Sequence, residues 1–175
     1  MKSLSGKKVL MVIAKNKFRD EEYLEPRKAL EDAGAVITVA SSSLNTSEGM
    51  LGLKVKPDML VGNVKEEDFD GVVFIGGGGA AEYFDNPVAH SLARSFFEHG
   101  KITSAICIAP ATLANAGVLT GKKATSFPSS EAALRTHGAI FMKQDVVADG
   151  TIVTAVGPQA AKKFGQELLR VLGEK

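Results

Sequence analysis

The chain holds one cysteine, Cys107, in the stretch SAICIAPATLANAG from Ser104 to Gly117. Ala105 and Ala109 lie two residues before and two after it. Small residues at those positions mark a sharp strand-to-helix turn around a nucleophile, because the strand and helix backbones come close there. Pro110 suits the opening turn of a helix, where its missing N–H breaks no helical bond. A thiol at this place faces unpaired amides and the positive end of a helix dipole, so the pattern predicts a pKa below that of free cysteine. The competing reading is packing, since free cysteine is among the most buried residue types.

Two further segments could serve such a thiol. FIGGGGAAE is a glycine run after an apolar strand. Its exposed amides could stabilise an oxyanion, and the amide of Ile108, next after the nucleophile, could join them. The run matches a dinucleotide fingerprint at Gly76, Gly78 and Ala81, but it closes the third strand rather than the first, and no acidic residue ends the next one. The other segment, KFRDEEYLEP, offers Asp20, Glu21, Glu22 and Glu25. Acids at a helix start complement its dipole, and Asp20 could be the N-cap. One of the four could instead reach the thiol, where desolvation would raise its pKa, keep it protonated and let it move a proton. Spacing does not choose among them.

The elements that must position these groups alternate. KKVLMVIA, AVITVASSS, GVVFI and ITSAI read as strands buried on both faces. Helices are expected over 23–33, over 86–100 with Val88, Leu92, Phe96 and His99 on one stripe, after Pro110, over 131–138, and over 159–172. Residues 44–70 are punctuated by Gly49, Gly52, Pro57 and Gly62 and predict only a short strand near 53–55. DVVADGTIVTAV reads as a hairpin turning at Asp149-Gly150. The pattern is one α/β domain over 1–175: a doubly wound three-layer sandwich of the flavodoxin-like type, with a mostly parallel sheet, helices on both faces and a late antiparallel hairpin. Ligands in such folds sit beyond the carboxyl ends of the strands, where the acidic turn, the glycines and Cys107 all fall.

Composition excludes several classes. At 45% hydrophobic, the chain can bury a sizeable core. A formal net charge of +1 gives no electrostatic case for nucleic acid or a membrane surface. No apolar run is long enough to span a bilayer, and no targeting signal is read, so the cytoplasm is the expected location. A single cysteine makes no intrachain disulfide, and His90, His99 and His137 show no metal-ligand spacing with it. No metal and no cofactor are expected.

Taken together, the three segments resemble the PfpI family, which includes intracellular proteases, glyoxalase III and protein deglycases, among them the Parkinson-disease deglycase, within the class I glutamine-amidotransferase-like superfamily. The likeness runs from KKVLMVIA to the last helix. FRDEEYLEP looks like the family segment whose acid, four residues before a proline, approaches the cysteine; that acid is Glu22. FIGGGGA looks like the strand followed by Gly-Gly, which implies oxyanion amides at Gly76 and Gly77. AICIAP looks like the nucleophile elbow, which implies Cys107 as nucleophile. Phe127 and Pro158 are expected to line the pocket. There are departures. Ile108 stands where protease-like members carry histidine. Ala81 stands where they carry glutamate, with Glu82 one step off. Val156-Gly157-Pro158 lacks the arginine of relatives.

The resemblance implies a cysteine-dependent stress-protection enzyme acting on small reactive carbonyls or glycated substrates, converting glyoxal or methylglyoxal to a hydroxy acid. It also implies a homodimer or larger homo-oligomer; in the sequence itself the polar-apolar surface from Glu22 to Leu30 is the expected contact. The alternatives are a redox-sensing or chaperone-like protein with an oxidisable cysteine and, lower in rank for want of the adjacent histidine, an intracellular cysteine peptidase.

Overall fold

The computed structural model describes residues 2–175. In chain order the elements are β1 (Lys8–Val12), α1 (Asp20–Asp32), β2 (Val36–Ser41), β3 (Ser47–Glu48), β4 (Lys54–Val55), β5 (Met59–Leu60), β6 (Gly71–Phe74), α2 (Pro87–Glu98), β7 (Ile102–Ile106), α3 (Pro110–Asn115), β8 (Lys123–Ala124), α4 (Glu131–Thr136), β9 (Ile140–Phe141), β10 (Val146–Asp149), β11 (Ile152–Ala155) and α5 (Ala161–Gly173). The main sheet has seven strands in the order β10-β11-β7-β6-β1-β2-β5, and only the β10–β11 pair is antiparallel. This is the doubly wound arrangement that the alternating pattern predicts.

The apolar strands face both ways. Val9, Met11 and Ile13 pack with Val73, Ile106 and Val153 against Leu30 of α1 and Phe164 and Leu168 of α5. Leu10, Val12, Val72 and Phe74 pack on the other side against Leu92 and Phe96 of α2, Leu113 of α3 and Leu134 of α4. Alternate side chains of one strand thus enter two separate cores, which is why these strands carry few polar residues. No helix among the described residues is long and apolar enough to cross a membrane.

Several local expectations are corrected. Helix α1 begins three residues before Tyr23, and Asp20 is its first residue rather than its cap; Arg19 holds the cap position. The buried stripe of α2 is Ala89, Leu92, Ala93 and Phe96, while Val88 is exposed and the His99 side chain lies mostly in solvent. Leu92 and Phe96 keep their expected places in that stripe, and Asn86 caps α2 by accepting from the amides of Val88 and Ala89. In the hairpin Asp149 pairs with Ile152, so the turn is Gly150-Thr151. The Asp149 carboxylate instead accepts from the Lys123 amide at 2.9 Å and ties β8 to the sheet.

Candidate active site at the turn after β7

Cys107 follows β7 directly with φ of +66°, in the left-handed region. An L-residue there costs about 1–2 kcal/mol relative to ordinary backbone. Neighbouring elements hold it in place. Its amide donates to Ala155 O at the end of β11 (2.9 Å), and its carbonyl accepts from the Phe127 amide (2.7 Å). Ser130 Oγ donates to Ile108 O at 3.1 Å. Ala105 and Ala109 are both buried in the core on the α2–α3 side, as close packing at an elbow requires.

The other two segments converge on this turn. The Arg19 amide donates to Gly76 O (2.9 Å), and the Gly79 amide to Lys17 O (3.0 Å). The loop before α1 is thereby stitched to the glycine run. Gly76 lies between the acid and the thiol: a methyl there would sit 2.5 Å from Cys107 Cβ and 2.6 Å from Ile106 O, and closer still to Glu22 Oε1. No side chain fits. Gly77 has φ of +100°, and a methyl on it would meet the backbone of Lys17, Phe18 and Arg19. Glycine is therefore required at both positions, one for close approach and one for conformation.

Glu22 is fully buried. Neither of its carboxyl oxygens completes a hydrogen bond of ordinary geometry; the polar groups bearing on it are the Cys107 thiol and the Gly76 amide. Burial raises its pKa from 4.5 to about 8, so the acid is mostly neutral at pH 7. Cys107 is 8% exposed. Its thiol is pushed up to about 12, first by burial and then by the charge of Glu22, while the amides of Gly77 and Ile108 pull the other way.

This overturns the expectation of a lowered thiol pKa. Helix α3 spans only six residues, and the amides of Ala109 and Ala111 are used by the carbonyls of Ile106 and Ile108. Two amides and a short dipole do not outweigh burial beside a carboxyl. The site is therefore a proton-sharing thiol–acid pair rather than a free-standing thiolate.

Cys107, Glu22, Gly76, Gly77 and Ile108 are thus brought together, with one refinement. The Gly76 amide bears on the carboxyl, whereas those of Gly77 and Ile108 bear on sulfur. Phe127 is joined to the elbow through its amide, its ring lies against Gly157, and Pro158 opens the turn that follows. A groove of about 400 Å³ borders this segment, lined by Thr125, Ser126, Pro128, Phe141, Lys143 and Val156 among others, but not by Phe127 or Pro158.

The histidines take no part. His90 Nε2 bonds Phe84 O, His99 Nδ1 bonds Ser95 O and His137 Nδ1 bonds Ala133 O. Glu82 is held at the Lys15 amide (2.7 Å). Among the described residues no group of three or more His, Cys, Asp or Glu side chains could hold a metal ion. The sequence reading missed the bidentate Arg19–Glu21 pair and the ties of Asp20 to the Leu51 and Leu53 amides, which join residues more than thirty positions apart.

Comparison with known proteins agrees with this architecture. The DJ-1/PfpI family model matches residues 7–171. A protein of Methanocaldococcus jannaschii is 40% identical over 173 residues, covering 97% of this chain and 84% of that one. A deglycase of Pyrococcus horikoshii is 34% identical over 165 residues, covering 94% and 99%. Among solved structures, a ThiJ/PfpI domain protein from Brachyspira murdochii superposes with a TM-score of 0.94 at 35% identity, covering 97% of this chain and 99% of that one. Drosophila melanogaster DJ-1beta gives 0.88 at 30% identity, covering 98% and 92%. With the elbow, the glycine turn and the buried acid in one place and the likeness running almost end to end, the chain belongs to the DJ-1/PfpI family.

Proposed function

We propose that the chain is a cysteine-dependent enzyme acting on small reactive carbonyls, of the glyoxalase III or deglycase kind. The observation that carries this reading is the pairing of Cys107 with a buried, mostly neutral Glu22 across Gly76, with amides at sulfur. An acid with a pKa near 8 can both accept and return a proton near neutrality. In its ionised form Glu22 takes the thiol proton as sulfur bonds to the aldehyde carbon of methylglyoxal. The proton passes to the aldehyde oxygen, giving a hemithioacetal, and the Gly77 and Ile108 amides stabilise the developing oxyanion. Glu22 then moves the proton of that carbon to the neighbouring carbonyl carbon through an enediol. This oxidises the first carbon to a thioester and reduces the second to an alcohol. Water cleaves the thioester, releases lactate and restores the thiol. The electrons balance within the substrate, so the route draws on no cofactor.

The deglycase of Pyrococcus horikoshii supports an activity in this class. A Cys-His peptidase is disfavoured, because Ile108 follows the nucleophile and all three histidines are engaged elsewhere. Oxidation by mild peroxide draws on the same thiolate as addition to an aldehyde, so the raised thiol pKa bears equally on a redox-sensing role, and mass spectrometry of Cys107 after peroxide separates the two. The test is lactate formation from methylglyoxal by the wild type, Cys107→Ala and Glu22→Gln. Loss in both variants is expected, and equal rates in all three would end the proposal. We also propose self-association through exposed Leu24, Met50 and Leu51, near the segment first expected to form the contact, in which Glu22, Tyr23, Pro26 and Leu30 are buried within the chain.

A further inference from the structure

We infer that Asp20 is a positioning residue for this site: by strapping the 49–53 loop to the first turn of α1, it sets how closely the Glu22 carboxyl approaches Cys107. This rests on the reading of Glu22 and Cys107 as a functional pair. The Asp20 carboxylate is buried and accepts two backbone amides, those of Leu51 (3.1 Å) and Leu53 (2.9 Å). Such charge-assisted bonds are about twice as strong as neutral ones. The loop is built to receive it. A methyl on Gly49 would overlap Asp20 Oδ1 and press on the Phe18 ring. The Met50 amide donates to Phe18 O (2.8 Å), and the Lys17 amide to Glu48 O (2.7 Å). The strap therefore grips both the first helical residue and the strained loop before it, where Lys17 has φ of +58°.

The other end of the same turn is released. Pro26 lies inside α1. It has no N–H for the carbonyl four residues back, which belongs to Glu22, and its ring crowds that carbonyl. Gly165 of α5 leaves room here; a methyl on it would sit 3.2 Å from Pro26 Cα. The turn carrying Glu22 is thus loosened from the helix behind it and held by Asp20 in front. The charges that bear on Glu22 are those of Arg19 and Glu21 beside it, with the Cys107 thiol facing it from the turn after β7. Asp20 acts on the pair by placement.

The experiment follows the rate of Cys107 alkylation by iodoacetamide from pH 6 to pH 9.5, with urea melts run in parallel. In the wild type the rate bends near pH 8, where Glu22 ionises, and the bend is absent in Glu22→Gln. In Asp20→Asn, which keeps one acceptor oxygen, the bend is expected to move about half a pH unit or more toward ordinary glutamate values, with a change of about threefold in rate at pH 7. In the Glu22→Gln background the same substitution is expected to leave the profile unchanged, since two residues acting through one group are not additive. Gly49→Ala displaces the carboxylate without removing it and gives the same readout if Asp20→Asn folds poorly. A bend that stays near pH 8 in both variants while the melts shift makes the strap purely structural and overturns the inference. A bend that persists in Glu22→Gln removes Glu22 from control of the thiol, and both the site reading and this inference fall.

Discussion

Replacing Glu22 by glutamine should stabilise the protein increasingly as pH rises. The carboxyl is fully buried without a hydrogen bond of ordinary geometry, and its pKa is raised from 4.5 to about 8. Between those values the folded chain holds a proton that the unfolded chain has released. Stability therefore falls with rising pH across this window, by at most about 1.4 kcal/mol per pH unit. Below pH 4.5 both states are protonated and the contribution vanishes. Above pH 8 both have released the proton and the penalty is complete. At pH 7 the penalty is about 3 kcal/mol, or roughly 6–12 °C in Tm for a chain of this size. Glutamine cannot ionise and escapes it, while its buried amide adds an offset that does not change with pH. The assay is urea denaturation of the wild type and Glu22→Gln at pH 5, 6, 7 and 8. The difference in unfolding free energy should widen steadily toward alkaline pH. Parallel curves would show that Glu22 does not carry a raised pKa, and the proton-sharing pair would go with it.

Other expectations follow from the same contacts. Gly76→Ala places a methyl between Glu22 and Cys107; it should destabilise by about 2–3 kcal/mol by overpacking and change Cys107 alkylation, and a variant matching the wild type in both would contradict the close approach. Alkylation of wild-type Cys107 should level above pH 8 at a rate far below that of free cysteine, because the thiol is pushed up to about 12; a rate equal to free cysteine at pH 8.5 would count against this. Leu24→Glu with Leu51→Glu places charge on the exposed apolar residues beside α1. Sedimentation should then show the 18.4 kDa monomer where the wild type is larger, and a monomeric wild type would dispose of the proposed self-association.

Much of this was legible in the residues. The strands carry uninterrupted Val, Leu and Ile because both of their faces are covered, and that pattern gives the layered sheet without any knowledge of contacts. The elbow was legible because close backbone approach demands Ala105 and Ala109, and the left-handed conformation of Cys107 follows from the same turn. The turn of the late hairpin was misplaced by one residue, since Asp149 was recruited by β8, an interaction with no local trace. In α2 the centre of the expected stripe, Leu92 and Phe96, is buried, while its ends at Val88 and His99 are exposed and the small Ala89 and Ala93 face the sheet instead.

Sequence alone established the order of the main strands and helices, the sharp turn at Cys107 and the set of four acids. It did not single out Glu22 by physics, since all four acids could complement the helix dipole. Packing made that choice, because Glu22 lies at 0% exposure against the one glycine that lets a carboxyl reach the thiol. The ionisation of the pair also belongs to tertiary structure. Local sequence places Cys107 at a helix start and argues for a thiolate. Burial beside a carboxyl argues for a thiol and prevails, because desolvation depends on everything that surrounds a group rather than on its neighbours along the chain.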